Sequence, residues 1–155
     1  MRAVYGSLLW THSLLRWVVV IAGAVAVARA IRGWSGRKRW TSADDLSGLL
    51  YTIALDVELL VGLVLYAGVS PFTAQAFSDF GGAMGDAVLR FWAVEHPFGM
   101  LIGISIAHIA RVRVRRAAGD AGRFKLAALL FGLSLIVILV SIPWPWMEAA
   151  RPLIR

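Results

Sequence analysis

His12 and His96 are ionisable side chains set inside long apolar runs. An imidazole placed in hydrocarbon is costly and marks a working position. Neutral imidazole is a natural transition-metal ligand, and two of them can hold one haem iron from its opposite faces. Such bis-histidine ligation leaves no open position for oxygen, so its chemistry is electron transfer. Arg16 lies one turn from His12 on the same face, and a buried guanidinium needs an acid partner. Glu58 and Glu95 are the candidates. Asp56 and Glu58 fall about 200° apart on a helix, so only one of them can face a given neighbour. Arg90 completes the set of polar side chains close to these positions. Arg16, Asp56, Glu58, Arg90 and Glu95 can form a haem-propionate or quinone site, or a charge network that fixes helix register; both readings stand.

His108, the third histidine, falls about 120° around its helix from His96 and close to Arg111, which reads as an interfacial position. Met100, one turn from His96, can pack against a cofactor edge or serve as ordinary packing. There is no H-E-x-x-H, P-loop or G-x-S-x-G motif. The absence of cysteine excludes disulfides, thiolate ligands and covalent c-type haem attachment. These features describe an electron-transfer or accessory subunit rather than a stand-alone enzyme.

The elements that must carry these residues are set by hydropathy. The 155-residue chain is 59% hydrophobic, and its mean hydropathy is +0.74. That exceeds the roughly 45–50% apolar content of soluble domains, so lipid is the expected solvent. Four apolar stretches, about 8–30, 46–69, 87–110 and 125–144, each approach the roughly 20 residues that cross a bilayer as a helix. The expected fold is all-α: a single domain, 1–155, forming an integral membrane up-down-up-down four-helix bundle. In a square bundle the first and third helices are diagonal. At about 1.5 Å per residue, His12 lies about 25 Å from Arg29 and His96 about 22 Å from Arg111. The two imidazoles therefore sit at one depth and can converge across the bundle axis.

Gly103 and Ala107 share the His96 face, and Gly23 shares the His12 face. Small residues beside each ligand would leave room for a flat macrocycle, which marks Gly103 as a cofactor-binding candidate. Gly99-x-x-x-Gly103 is equally a helix-packing motif. Thr41 and Ser42 before Asp44 and Asp45 read as a helix N-terminus. Segment 70–87 is the longest connection; an ordinary polar loop is its default reading and an interfacial lid the alternative. Pro143 and Pro145 end the fourth helix.

The net charge of +7 is concentrated around the first and third loops, at Arg29, Arg32, Arg37, Lys38 and Arg39, and at Arg111, Arg113, Arg115, Arg116, Arg123 and Lys125. The second loop has Asp79 and Asp86 and no basic residue. This distribution argues against a nucleic-acid partner and places loops one and three in the cytoplasm, with both termini outward. Tryptophans at both ends of the helices agree with two lipid–water interfaces.

The stretches His12-Ser-Leu-Leu-Arg-Trp17, Leu60-Val-Gly-Leu-Val-Leu-Tyr66, Arg90-Phe-Trp-Ala-Val-Glu-His-Pro-Phe-Gly-Met100 and Ser141-Ile-Pro-Trp144 resemble a family of small four-helix bacterial membrane proteins labelled "cytochrome B". The resemblance covers most of the chain. It implies a protein of the bacterial inner membrane, haem b as cofactor, and importance for His12, Arg16, Glu95 and His96. Helix two departs from the pattern, with Asp56-x-Glu58 where the family is associated with His-x-Gln. The ligand role then falls to His12 and His96.

The resulting expectation is a membrane electron-transfer or haem-carrying subunit with one bis-His haem b near the outer face. Quinone is a possible second cofactor. Membrane lipids and other subunits of a respiratory or photosynthetic-type complex are the expected partners. The alternative is a non-catalytic accessory or structural subunit without a cofactor. Proton or ion translocation is a third reading, with too few charges toward the basic end for a continuous path.

Overall fold

The computed structural model describes residues 2–150 and Pro152. The described residues are helical from Arg2 to Ser141 apart from short turns, with no strand, and four of the helical segments are long and apolar enough to cross a membrane. The first is α1 (Arg2–Ser35). The second joins α2 (Ser42–Val64) to a π-helical turn, π1 (Leu65–Val69). The third joins α5 (Ala87–Arg90), a second π-helical turn, π2 (Phe91–Glu95), and α6 (His96–Arg116). The fourth is α7 (Gly119–Ser141).

α1 packs against α2 and α7, and α6 packs chiefly against α7, with a slimmer contact to α2. The first and third spans therefore stand diagonally, as a square bundle requires. Val19, Tyr51, Leu55, Ala107, Phe131 and Ile138 fill the space between the helices. Ile21 (61%), Leu60 (64%), Ile136 (60%) and Val140 (72%) are the reverse case, large apolar side chains exposed on the outside. Water would penalise such a surface and lipid does not, which is why these stretches are apolar all round.

The helix ends reflect local chemistry. The Asp44 carboxylate accepts from the Thr41 backbone N–H at 2.9 Å and from its hydroxyl at 2.6 Å, closing the start of α2. Arg29 reaches the same carboxylate at 2.7 Å, and Arg111 binds the Asp45 carboxylate at 2.9 Å and its carbonyl at 3.0 Å. These contacts fasten α1 and α6 to the first turn of α2. The helices extend beyond the apolar stretches at the basic end, because arginine is a good helix former whose charge can project outward. The third connection shrinks to residues 117–118, and Gly119, with φ +71°, makes the reversal that a Cβ would strain. α7 stops at Ser141, ahead of Pro143.

Segment 70–87 corrects the default expectation of a polar loop. It folds as α3 (Pro71–Ser78) and α4 (Phe80–Gly85), leading into α5. Ser70, Asp79 and Asp86 each accept a backbone N–H with the side chain, at 3.3, 3.0 and 2.8 Å. A small cluster around Ala76, Ala83 and Ala93 holds this lid against π2.

Candidate functional site

The two π-turns flank a part-open apolar cavity of about 420 Å³ at the lid end of the bundle. A π-turn adds one residue to a helical turn, shifts the register of the residues beyond it and leaves a carbonyl short of its helical partner. π2 ends at Glu95, so His96 is the first residue set by this shift. The Ala93 carbonyl within π2 accepts from the Tyr66 hydroxyl of π1 at 2.7 Å. Sequence periodicity gives no sign of either turn, although π2 lies within the motif stretch Arg90–Met100 and π1 begins at the end of Leu60–Tyr66.

His12 on α1 and His96 on α6 both line the cavity. Their ring centroids are 6.3 Å apart and their planes are inclined at 84°. His96 Nδ1 is 2.8 Å from the Ser141 carbonyl. A carbonyl only accepts, so this contact requires Nδ1–H and leaves Nε2 with its lone pair when the ring is neutral. His12 Nδ1 lies 3.2 Å from Glu58 Oε1, an ion-pair distance without hydrogen-bond alignment. Glu58 Oε2 is buried with no hydrogen-bond partner among the described residues. His96 is thus held through Nδ1 by a backbone carbonyl, and His12 Nδ1 faces a carboxylate at ion-pair distance.

Glycines set the approach of the helices around this pair. A methyl group on Gly62 would stand 3.3 Å from His12 Cε1, so α2 comes as close to the ring as a bare backbone allows. Gly99 does the same for α6 and α7, since a Cβ there would collide with the Ser141 side chain. That close approach is what brings the Ser141 carbonyl within reach of His96.

The remaining sequence candidates divide between this site and others. Arg16 and Met100 line the cavity, and the charge of Arg16 is within attractive reach of Glu58. Its guanidinium also lies 5.7 Å from the Trp17 ring centroid. Glu95 is no partner of Arg16: it binds Arg90 Nε at 2.7 Å on the outside of π2, and Arg90 also donates to the Met84 carbonyl at 3.0 Å. That pair secures the lid.

Gly103 is corrected from a cofactor-binding position to a packing one. It is absent from the cavity wall, and a Cβ there would lie 2.7 Å from Ile138 Cδ1. Gly23 likewise faces Tyr51 and Leu135, at 2.8 and 2.9 Å from a hypothetical Cβ. The Gly23 and Gly103 faces are therefore packed core, while the cavity runs from segment 70–73 past the histidines to Val19, Leu55 and Ile104. Asp56 leaves the His12 site altogether. It faces α6, where its Oδ1 is 2.8 Å from His108 Nε2. His108 is thus half of a pair rather than a lone interfacial residue.

Among the described residues no three His, Asp or Glu side chains converge as a metal-binding group. No known protein family, curated protein or solved structure matches the chain.

Proposed function

We propose that the chain is a membrane electron-transfer or haem-carrying protein that holds one b-type haem between His12 and His96. The observation that carries this reading is the imidazole pair itself, with His96 Nδ1 bound to the Ser141 carbonyl and His12 Nδ1 facing Glu58. Half of the 6.3 Å centroid separation is about 3 Å, close to one metal–imidazole bond of about 2 Å plus the radius of a five-membered ring. A carboxylate or a backbone carbonyl on the second nitrogen is the usual support of a ligating histidine. The cavity volume of about 420 Å³ falls within the range of about 300–1,000 Å³ found for ligand pockets. Its wall is largely apolar, with Arg16 and Glu58 as charged members.

In this reading His12 and His96 would hold the haem, Glu58 would orient His12, and the Ser141 carbonyl fixes the His96 tautomer. Arg16 sets positive charge beside the ring system, which raises the potential of a buried redox centre. The haem supplies a one-electron redox change at its iron. The charge bias supports an orientation with loops one and three in the cytoplasm and both termini outward across a bacterial inner membrane. The histidine pair then lies in the outer half, where other subunits of a respiratory or photosynthetic-type complex can exchange electrons with it. The resemblance to four-helix "cytochrome B" proteins points the same way.

A reduced-minus-oxidised spectrum of protein purified from haem-replete cells tests the proposal. Low-spin b-type bands are expected, with loss in His12→Ala and in His96→Ala. No bands, or bands indifferent to both substitutions, would reject it and leave a cofactor-free accessory subunit.

A further inference from the structure

Asp56 and His108 pose a second problem, on the other side of α2. Their side chains are 49% and 50% exposed, yet both lie within segments long and apolar enough to cross a membrane. Their neighbours along the same helix faces are Ile53, Leu60 and Val112, themselves 47%, 64% and 47% exposed. A carboxylate and an imidazole therefore open sideways into a surface otherwise built for lipid. Lipid tails cannot satisfy Asp56 Oδ2 or His108 Nδ1, and the pair's one contact is between Oδ1 and Nε2. An ionisable pair inside a membrane span marks a functional position.

The pair is chemically directional. With His108 neutral and its Nε2–H donated to Asp56, Nδ1 presents a lone pair, and the carboxylate orients the ring as it does in carboxylate–histidine general bases. The matching ligand has an O–H donor, a flat or apolar body, and enough lipid solubility to arrive from the side. Phenolic hydroxyls donate more strongly than alkyl ones, which favours a hydroquinone over a hydroxylated lipid.

Asp56 and Glu58 are about 3 Å apart along the α2 axis and about 200° apart around it. Glu58 faces His12 and Asp56 faces His108. Asp56 thus stands close to the level of Glu58 with one helix between them, about 10–12 Å across, while His108 lies twelve residues along α6 from His96, about 18 Å toward the basic end.

We propose that the Asp56–His108 dyad binds the hydroxyl head of a membrane-soluble hydroquinone entering from the lipid side. The choice of a redox-active ligand rests on the haem reading; the dyad's preference for an O–H donor does not. The test uses the full chain in lipid nanodiscs, with an azido-substituted hydroquinone carrying a ten-carbon tail as photoprobe. Labelling is expected on peptides covering 53–60 and 105–112. Unlabelled hydroquinone should suppress it, and the dimethyl ether of that compound and decanol should not. His108→Gln and Asp56→Asn should each lower the labelling by about tenfold or more, the effect of losing one charge-assisted hydrogen bond.

Equal protection by the dimethyl ether would show partitioning alone and overturn the site; this arm uses the unaltered protein. Equal protection by decanol would overturn the hydroquinone assignment in favour of a general alkyl hydroxyl. Labelling confined to the His12–His96 cavity, or unchanged in both variants, would overturn the dyad. The haem spectrum of the same nanodiscs is read separately. Protein with haem bands and no labelling refutes this inference alone, and labelled protein without bands refutes the haem reading alone.

Discussion

The Tyr66 hydroxyl donates to the Ala93 carbonyl over 2.7 Å, and this single bond joins the two π-turns. π1 closes the second span and π2 opens the third, so the bond crosses the mouth of the cavity where the lid begins. Its acceptor is a carbonyl whose ordinary helical donor, four residues on, would be Pro97, which has no N–H. Tyr66→Phe keeps the ring and strands that part-buried acceptor. We expect a loss of about 1–3 kcal/mol, read as a lower unfolding temperature in detergent. A smaller change than that of Tyr66→Leu is expected, because Phe retains the contact with Phe77, whose ring centroid is 6.1 Å away.

Gly99 and Gly103 face α7 one after the other, and they should respond differently to the same added methyl. At Gly103 the methyl meets the flexible end of Ile138, so Gly103→Ala should cost about 1–3 kcal/mol by overpacking. Ile138→Val in the same chain should recover part of that loss. At Gly99 the obstacle is the short side chain of Ser141 beside the helix terminus, which has less room to yield. Gly99→Ala should therefore move the end of α7 and lengthen the His96–Ser141 contact. The imidazole signals of His96 in a histidine-labelled sample would register that shift, and those of His108 would remain in place.

Tyr51, Ser134 and Gly103 form a closed polar chain in the middle of the core. Tyr51 and Ser134 are fully buried. Their hydroxyls are 3.0 Å apart, and Ser134 donates to the Gly103 carbonyl at 2.7 Å. Ser134→Ala leaves the tyrosine hydroxyl stranded, at a cost of about 1–3 kcal/mol. Tyr51→Phe removes the stranded group, so the double variant should be more stable than the sum of the two losses. A coupling of about 0.5–3 kcal/mol is expected from the thermodynamic cycle. Additive losses would show that the two hydroxyls do not act on each other.

The four spans were legible because a long apolar run has few alternatives to a membrane-crossing helix, and Pro143 announces where the last one stops. The level and the diagonal placement of His12 and His96 were legible too, since rise per residue and an up-down order leave little freedom. The surroundings of the two rings were not. A glycine on the correct face reads the same whether it opens space or admits a neighbour, and Tyr51 and Ile138 fill the places beside Gly23 and Gly103. The π-turns carry no period of their own, so the lid and the anchoring carbonyl of Ser141 lay outside what helical periodicity can place. Asp56 and Glu58 were separable by angle alone, but their partners depend on which helix stands on each side of α2. A count of angles around one helix does not contain that information.

Glu58 offers the most direct separation of haem ligation from general helix packing. Its carboxylate lies 3.2 Å from His12 Nδ1 and touches the proposed iron only through that ring. Glu58→Gln keeps the size and removes the charge that makes His12 a better donor at Nε2. Loss of such a supporting group typically weakens metal affinity about 10–100-fold. We expect haem retention to fall by that factor when the protein is titrated against a competing apo-haem-binding protein, with the residual b-type spectrum still low-spin. Asp56→Asn, two residues away on the opposite face of α2, should leave retention unchanged. Equal losses in the two variants would mean that both carboxylates act on the stability of α2 and neither on His12.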